Sequence, residues 1–352
     1  MFVNFPLLRR RFRRLIQGHT TDLADMASQE WTLCPNEVTD IKPAVYLDGA
    51  LEKVTALSPW RTWDVELALI RGGIAEHAAS TAHLIENVDL VGAYIYKGAG
   101  KLHPGFGSER VIVTEAGRSV ELDEANLVTS WPGSHFFGPF LKCDLPLELI
   151  NEGSTDNISM ITREYHHASG YRRLCGLAPV PVIRRAHIKK LTVYTDFAQN
   201  SFKVDRYRKL RSHLRSKLDR RQSPPIRGTY LLRGKSGELR NLDNEADIVN
   251  LLQGMGFEII ETDKLSAAEI AERTRDAPIV ISVEGSHLSH VIFTLQDHGT
   301  MLVFQPPDRF AMPYKEFTDS LQMDFAFLVG TKTANGFSIA LDELRRILDK
   351  IS

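Results

Sequence analysis

The chain has 352 residues, enough for about two domains and a large apolar core that needs no disulfide or metal staple. Charged residues make up 25% and hydrophobic ones 43%, which excludes a disordered chain. With 43 basic and 44 acidic residues the net charge is −1, which excludes a global field that would draw the protein to nucleic acid.

Cys34, Cys143 and Cys175 lie far apart with no CxxC pair, against a zinc ribbon or thioredoxin motif and in keeping with a reducing cytoplasm. No run of 18 apolar residues is present, so no membrane span is expected. From Met1 to Ile16 the arginines follow the apolar part, the reverse of a signal peptide. As a helix this stretch gathers Leu8, Phe12, Leu15 and Ile16 on one face beside Arg9, Arg10, Arg11, Arg13 and Arg14. That composition suits a helix lying on an anionic membrane surface; a solvated basic tail, or a helix docked through its apolar face, are the alternatives.

Residues 65 to 130 read as β-rich, with strands at Val65–Ile70, Val88–Tyr96 and Arg110–Thr114. Between 138 and 150, Pro139 and Pro146 allow only short helical pieces. Pro179 to Pro181 and the following Val182 to Lys190 read as a linker. From Phe202 to Arg221, Val204, Tyr207, Leu210, Leu214 and Leu218 form a helical stripe among nine basic residues opposed only by Asp205 and Asp219. Such a face attracts an anionic glycan, a lipid phosphate or RNA, or is simply solvated.

The second half alternates strands and helices. Strands are predicted at Gly228–Arg233, Phe257–Thr262, Ile279–Val283, Met301–Gln305 and Asp324–Val329. Helices are predicted at Asp243–Gln253 with Asp243 as cap, Ser266–Arg275 with Ser266 as cap, Ser286–Gln296 and Leu341–Ile351. This alternation means βαβ units and a parallel sheet, whose ligands bind beyond the carboxyl ends of the strands.

Three stretches carry candidate chemistry. Glu284-Gly285-Ser286-His287 joins a strand to a helix: Gly285 permits close approach, Ser286 caps, and Glu284 can take a proton or bind a hydroxyl. His287 and His290 share a helix face, but no HExxH or acidic triplet accompanies them, so a metal centre is not expected. Arg233 ends a strand and Arg240 follows a Gly-Lys-Ser-Gly turn, placing guanidinium groups where a diphosphate could be gripped. In the first half, Trp131 to Pro146 combines a turn, a histidine and aromatics. His135, or else Asp144, is a candidate base there; a buried structural histidine and a capping aspartate are the alternatives.

From about Gly228 to Phe304 the chain resembles glycosyltransferase family 61. The resemblance rests on Tyr230-Leu-Leu-Arg233, Asn241, the helix Glu245 to Leu252, Gly256-Phe-Glu-Ile-Ile260, Leu265-Ser266, and Ile279 through the Glu284 loop to Phe293. Many members read His-Gly-Ala-Gly-Leu-x-Asn in that loop. Glu284 stands here at the histidine, His287 at the second glycine and His290 at the asparagine. Gly138 to Pro146 is similar to the family's Gly-His-x-Leu-x-x-x-Leu-Pro, with Pro139 at the histidine and His135 nearby.

The resemblance implies an α/β, GT-B-like architecture of two Rossmann-like domains facing a central cleft. It also implies an inverting, metal-independent glycosyltransferase with no cofactor besides its nucleotide-sugar co-substrate. Expected divisions are 1–20 (basic segment), 21–185 (acceptor side), 186–335 (nucleotide-sugar binding) and 336–352 (closing helix). Arg233, Arg240, Asn241, Gly285, Ser286, His287 and Gln305 would hold the donor; His135, Glu284 and Asp144 are the catalytic candidates. The acceptor would be a glycan or lipid-linked glycan of bacterial capsular or lipopolysaccharide type. The protein would be cytoplasmic, with Arg9 to Arg14 as the contact to an anionic inner membrane face. A pyruvyltransferase-like glycan-modifying enzyme and a non-catalytic glycan-binding or assembly subunit are the alternatives.

Overall fold

The computed structural model describes residues 2–17, 23–113, 119–218, 226–233 and 240–351. They form two compact units. The first comprises Met1–Asn36, Ala78–Arg172 and Leu177–Arg206; the second comprises Glu37–His77, Arg173–Gly176 and Tyr207–Ser352.

The first unit is built on a seven-stranded sheet. Its strands are β1 (Gln29–Cys34), β2 (Ser80–Val91), β3 (Tyr94–Lys97), β4 (Gly100–Leu102), β5 (Val120–Leu127), β6 (Asn157–Ile158) and β7 (Arg185–Thr195). The order is β6-β5-β7-β2-β3-β4, with β1 also on β2. Only β5 with β6 and β5 with β7 run parallel; every other pair is antiparallel. The expectation of a second Rossmann-like domain therefore fails: tight turns, not crossover helices, join β2 to β3 and β3 to β4. The predicted single strand Val88–Tyr96 is a hairpin that turns at Gly92, φ +61°. Ile112–Val113 pairs with Phe2–Val3, and Thr114 lies outside the described residues.

The predicted linker through Lys190 is instead β7, paired from Arg185 with Val91 to Thr195 with Thr81. Ala186, Ile188 and Leu191 bury one side in a core with Ile85, Leu90, Ala125 and Leu127. On the exposed side Lys189 and Lys190 pair with Asp123 (2.7 Å) and Glu124 (2.8 Å). The closely spaced Pro179 and Pro181 just before β7 made a central strand look like a connection.

The second unit holds a five-stranded parallel sheet: β8 (Gly228–Leu232), β9 (Phe257–Glu261), β10 (Ile279–Val283), β11 (Thr300–Gln305) and β12 (Asp324–Val329). The order is β9-β8-β10-β11-β12, a doubly wound sheet whose direction of growth reverses between β8 and β10. Its strands are apolar on both faces: β10 and β11 are buried at every residue. Tyr230, Ile281, Val283, Leu302, Phe304 and Leu328 pack with Leu344, Ile347 and Leu348 of the closing helix Leu341–Ile351.

Helix Ala267–Thr274 starts with the predicted cap, reciprocated by Glu269 as a capping box. The helix predicted from Asp243 runs Glu245–Gly254, preceded by Asn244, whose side chain bonds the Ile339 carbonyl (2.8 Å) and amide (3.1 Å). Asp243 accepts instead from the Thr333 hydroxyl. Only Ser286–Val291 of the predicted Ser286–Gln296 helix forms, as a tight 3-10 coil. Val65–Ile70, predicted as a strand, lies in helix Trp63–Arg71, with Asp64 and Glu66 in its first turn and Gly72 (φ +69°) closing it. A short apolar run does not distinguish the two states, and the first-turn acids favour the helix.

Two charged segments depart from their predicted surroundings. In helix Ser201–Ser216 the basic residues are partly internal. Arg206 grips the buried Asp196 with two nitrogens (2.8 and 3.1 Å), Lys203 donates to the Asp196 carbonyl (2.5 Å), and Arg211 binds the Leu295 carbonyl and Asp297. These cations hold polypeptide together, so the solvated basic face shrinks to the remainder; Asp219, Arg220 and Arg221 lie outside the described residues. In helix Phe5–Gln17, Leu7 is fully buried with Tyr94 and Tyr96, and Arg10 is buried too. The helix thus docks by the side opposite to its apolar stripe. Phe5, Phe12, Leu15 and Ile16 stay 64 to 86% exposed. No described helix is long and apolar enough to cross a membrane.

Candidate active site

The reversal between β8 and β10 marks the carboxyl-end edge of those two strands as the place where doubly wound sheets take their ligands. Arg233 follows β8 and Glu284-Gly285 follows β10, so the fold delivers both to that edge. The Glu284 carbonyl accepts from Arg233 Nη1 (2.6 Å) and Arg240 Nη1 (2.7 Å), and the Glu284 carboxylate pairs with Arg240 (2.8 Å). Glu284 and Arg233 are buried. The Gly-Lys-Ser-Gly turn between the arginines lies outside the described residues.

Gly285 makes this packing possible. Its φ is +155°, and a Cβ there would overlap the Arg233 guanidinium. The Gly285 carbonyl accepts from the Tyr314 hydroxyl (2.9 Å), which in turn receives a hydrogen bond from Ser289 (2.9 Å). Because the single phenolic proton goes to Gly285, Ser289 must be the donor. Burial pushes the Tyr314 phenol well above its usual range, so it remains a donor throughout the working pH range.

His287 lies beneath the loop. Burial, together with Arg233, His290 and Arg240, holds its imidazole well below the usual range, so the ring is neutral. The Ser282 hydroxyl spends its proton on the Leu231 carbonyl (2.6 Å), so His287 Nε2 donates to Ser282 (2.5 Å). This chain ties β8, β10 and the loop together. Ser286 begins the 3-10 coil at the same edge. Among the described residues no group of three or more His, Cys, Asp or Glu converges as a metal site.

Two other candidates in this unit have structural partners. The Gln305 amide clasps the main chain of Ala311, donating to its carbonyl (2.7 Å) and accepting from its amide (3.3 Å). Asn241 donates to the Asn335 carbonyl (3.1 Å). Sequence reasoning missed Ser282 and Tyr314. Ser282 had a signal, a hydroxyl inside an otherwise apolar strand; Tyr314 had none, since only the fold brings it to Gly285.

In the first unit, His135 ends the short helix Trp131–His135, capped by Ser130, whose hydroxyl accepts from the Gly133 amide (3.1 Å). His135 Nδ1 lies 2.8 Å from the Trp131 carbonyl, which can only accept, so Nδ1 carries the proton of the neutral ring and Nε2 is the basic nitrogen. Trp131 stacks on the imidazole at 4.1 Å, and Phe106 meets it edge-on at 4.9 Å.

Asp144 is fully buried beneath this helix. Its Oδ1 accepts from the Ser130 amide (3.0 Å) and hydroxyl (2.6 Å), and a Cβ on Gly133 would overlap the carboxyl. Burial raises its pKa to about 8, so at neutral pH it is a protonated prop under the His135 turn rather than an accessible base. The folded state therefore binds a proton that the unfolded chain releases above pH 4. This stabilisation is complete at low pH and is lost as pH rises towards 8. Across that window Asp144 should contribute a fall of about 1.4 kcal/mol per pH unit. Asp144→Asn, which keeps the acceptor oxygen, should flatten the slope by one proton in denaturant titrations at several pH values. An unchanged slope would contradict the protonated state.

A family model described as Glycosyltransferase 61 matches residues 68–303. No curated protein matches the chain. The matched span runs from helix Trp63–Arg71 into β11 and so takes in His135, Arg233, Arg240 and the Glu284 loop. The match takes in well over half of the 352 residues, and the chain belongs to glycosyltransferase family 61.

Proposed function

We propose that the protein is an inverting glycosyltransferase that takes its sugar from a nucleotide-sugar held by the second unit. The observation that carries this reading is the convergence of Arg233 and Arg240 on the Glu284 carbonyl at the β8/β10 switch point. A departing nucleoside diphosphate develops negative charge, and preorganised guanidinium groups stabilise it without reorganising. Glu284 orients Arg240; Gly285 leaves room for the Arg233 guanidinium, Ser286 begins the coil beside it, and the neutral His287 supports the loop from below. Gln305 and Asn241 act on the shape of the site through the segments they clasp.

His135 is the acceptor base in this reading. Its Nε2 takes the hydroxyl proton as the acceptor oxygen attacks the anomeric carbon, and inversion follows from a single displacement. The acceptor is a glycan or lipid-linked glycan of the capsular or lipopolysaccharide type, as the family resemblance suggests. The outward stripe Phe5, Leu8, Phe12, Leu15 and Ile16, flanked by exposed Arg9, Arg11 and Arg13, supports work at an anionic membrane surface. Three free cysteines fit a cytoplasmic setting.

The direct test incubates the protein with UDP-, GDP-, CMP- and dTDP-sugars and, separately, phosphoenolpyruvate. Release of a nucleotide from one sugar donor is expected. Turnover of phosphoenolpyruvate alone would overturn the reading.

A further inference from the structure

The first unit contains a cavity of about 190 Å3, partly open to solvent, that the reading above leaves unused. Leu102, Leu127, Leu147 and Val193 form its apolar walls, and Trp131 and His103 also border it. Trp131 is the ring stacked on His135, and His103 lies 6.4 Å from His135 between ring centroids. The cavity is therefore one side chain away from the base.

Most of its polar side chains are already engaged within the protein. The Ser130 hydroxyl bonds Asp144 and Gly133, and Asp196 bonds Ser80 and Arg206. His103 bonds the Gly107 carbonyl, and Thr129 bonds Ser159 and the Met160 amide. Tyr194 bonds Asn126 and Asn151, and Thr195 lies within hydrogen-bond distance of His83. A sugar ring carries about one hydroxyl per carbon and would lose water here without replacement, whereas an apolar group loses nothing. Size points the same way: a dry cavity of about 150 Å3 in another protein holds benzene. Here there is room for an aromatic ring with a short substituent, or a short branched alkyl chain.

A second observation links the cavity to the helix Phe5–Gln17. Tyr94 belongs to the cluster that buries Leu7 of that helix, and its ring stacks at 4.1 Å on His103 of the cavity wall. The docked side of that helix and the cavity thus share one packed wall.

We infer that this cavity receives the apolar aglycone of the acceptor, an aryl or short branched alkyl group attached beside the sugar whose hydroxyl His135 deprotonates. The acceptor is accordingly an amphiphile rather than a free saccharide. This inference rests on His135 serving the acceptor.

The test uses 4-fluorobenzyl alcohol as probe, followed by fluorine NMR on the full chain. Saturable binding is expected, weakened at least tenfold by Val193→Phe, which fills the cavity, and unchanged by His135→Ala. Leu102→Phe serves as a second filling variant should the first not fold. No binding, or binding indifferent to the filling variants, would overturn the inference. With a transferring enzyme in hand, aryl glycosides should show at least tenfold lower KM than methyl glycosides of the same sugar. Equal KM values would remove the aglycone site while leaving the glycosyltransferase reading intact.

Discussion

Replacing His135 by alanine is expected to lower kcat by two to four orders of magnitude, the range spanned by general-base catalysis, while leaving donor affinity within twofold. The split follows from the architecture: His135 belongs to the first unit and bonds Trp131, whereas the paired arginines belong to the second. Transfer rates at saturating donor, with the Kd of a nucleoside diphosphate measured alongside, separate the two effects. Full turnover in the variant would remove His135 from the mechanism. Asp144 cannot substitute, because its carboxyl is buried under Gly133 and protonated at neutral pH.

Adding one methyl group to the donor loop should be nearly as damaging. In Gly285→Ala the new carbon would occupy the space of the Arg233 guanidinium, so that side chain must swing out and leave the Glu284 carbonyl. Nucleoside diphosphate binding should weaken by at least tenfold, about 1.4 kcal/mol. The overlap is specific, so the two positions should couple: in an Arg233→Ala background, Gly285→Ala should cost much less than it does alone. Strictly additive losses would show that Gly285 matters for a reason other than making room for the arginine.

The second unit was largely legible in the sequence because each local signal agreed with its neighbours. Ile279–Val283 is apolar but for Ser282, Phe325–Val329 is apolar throughout, Ser266 with Glu269 spells a capping box, and short loops leave room only for parallel βαβ connections. The arginines at the switch point could be located because strand ends locate themselves. Their convergence on one carbonyl could not, since it depends on the absence of a side chain at Gly285 and on Tyr314, 29 residues further along.

The first unit resisted reading for a different reason. Its central strand β7 follows two prolines, and its alternation breaks at the adjacent exposed Lys189 and Lys190, between buried Ile188 and Leu191, so the period of a strand was interrupted. Helix Trp63–Arg71 presents nine residues too rich in β-branched and aliphatic side chains to declare its period. The basic run from Lys203 likewise hid its destination: a buried Asp196 and a set of carbonyl oxygens recruit cations that composition alone assigns to solvent. Hydrogen-bond partners distant in sequence are invisible to any local pattern.

Calorimetric titration of UDP, GDP and dTDP into the wild-type chain and into Arg233→Ala bears most directly on the donor site. One of the three is expected to bind the wild type, and its affinity should fall by at least tenfold, about 1.4 kcal/mol, when the guanidinium is removed. The same Kd in both proteins would contradict a diphosphate site at the β8/β10 switch point.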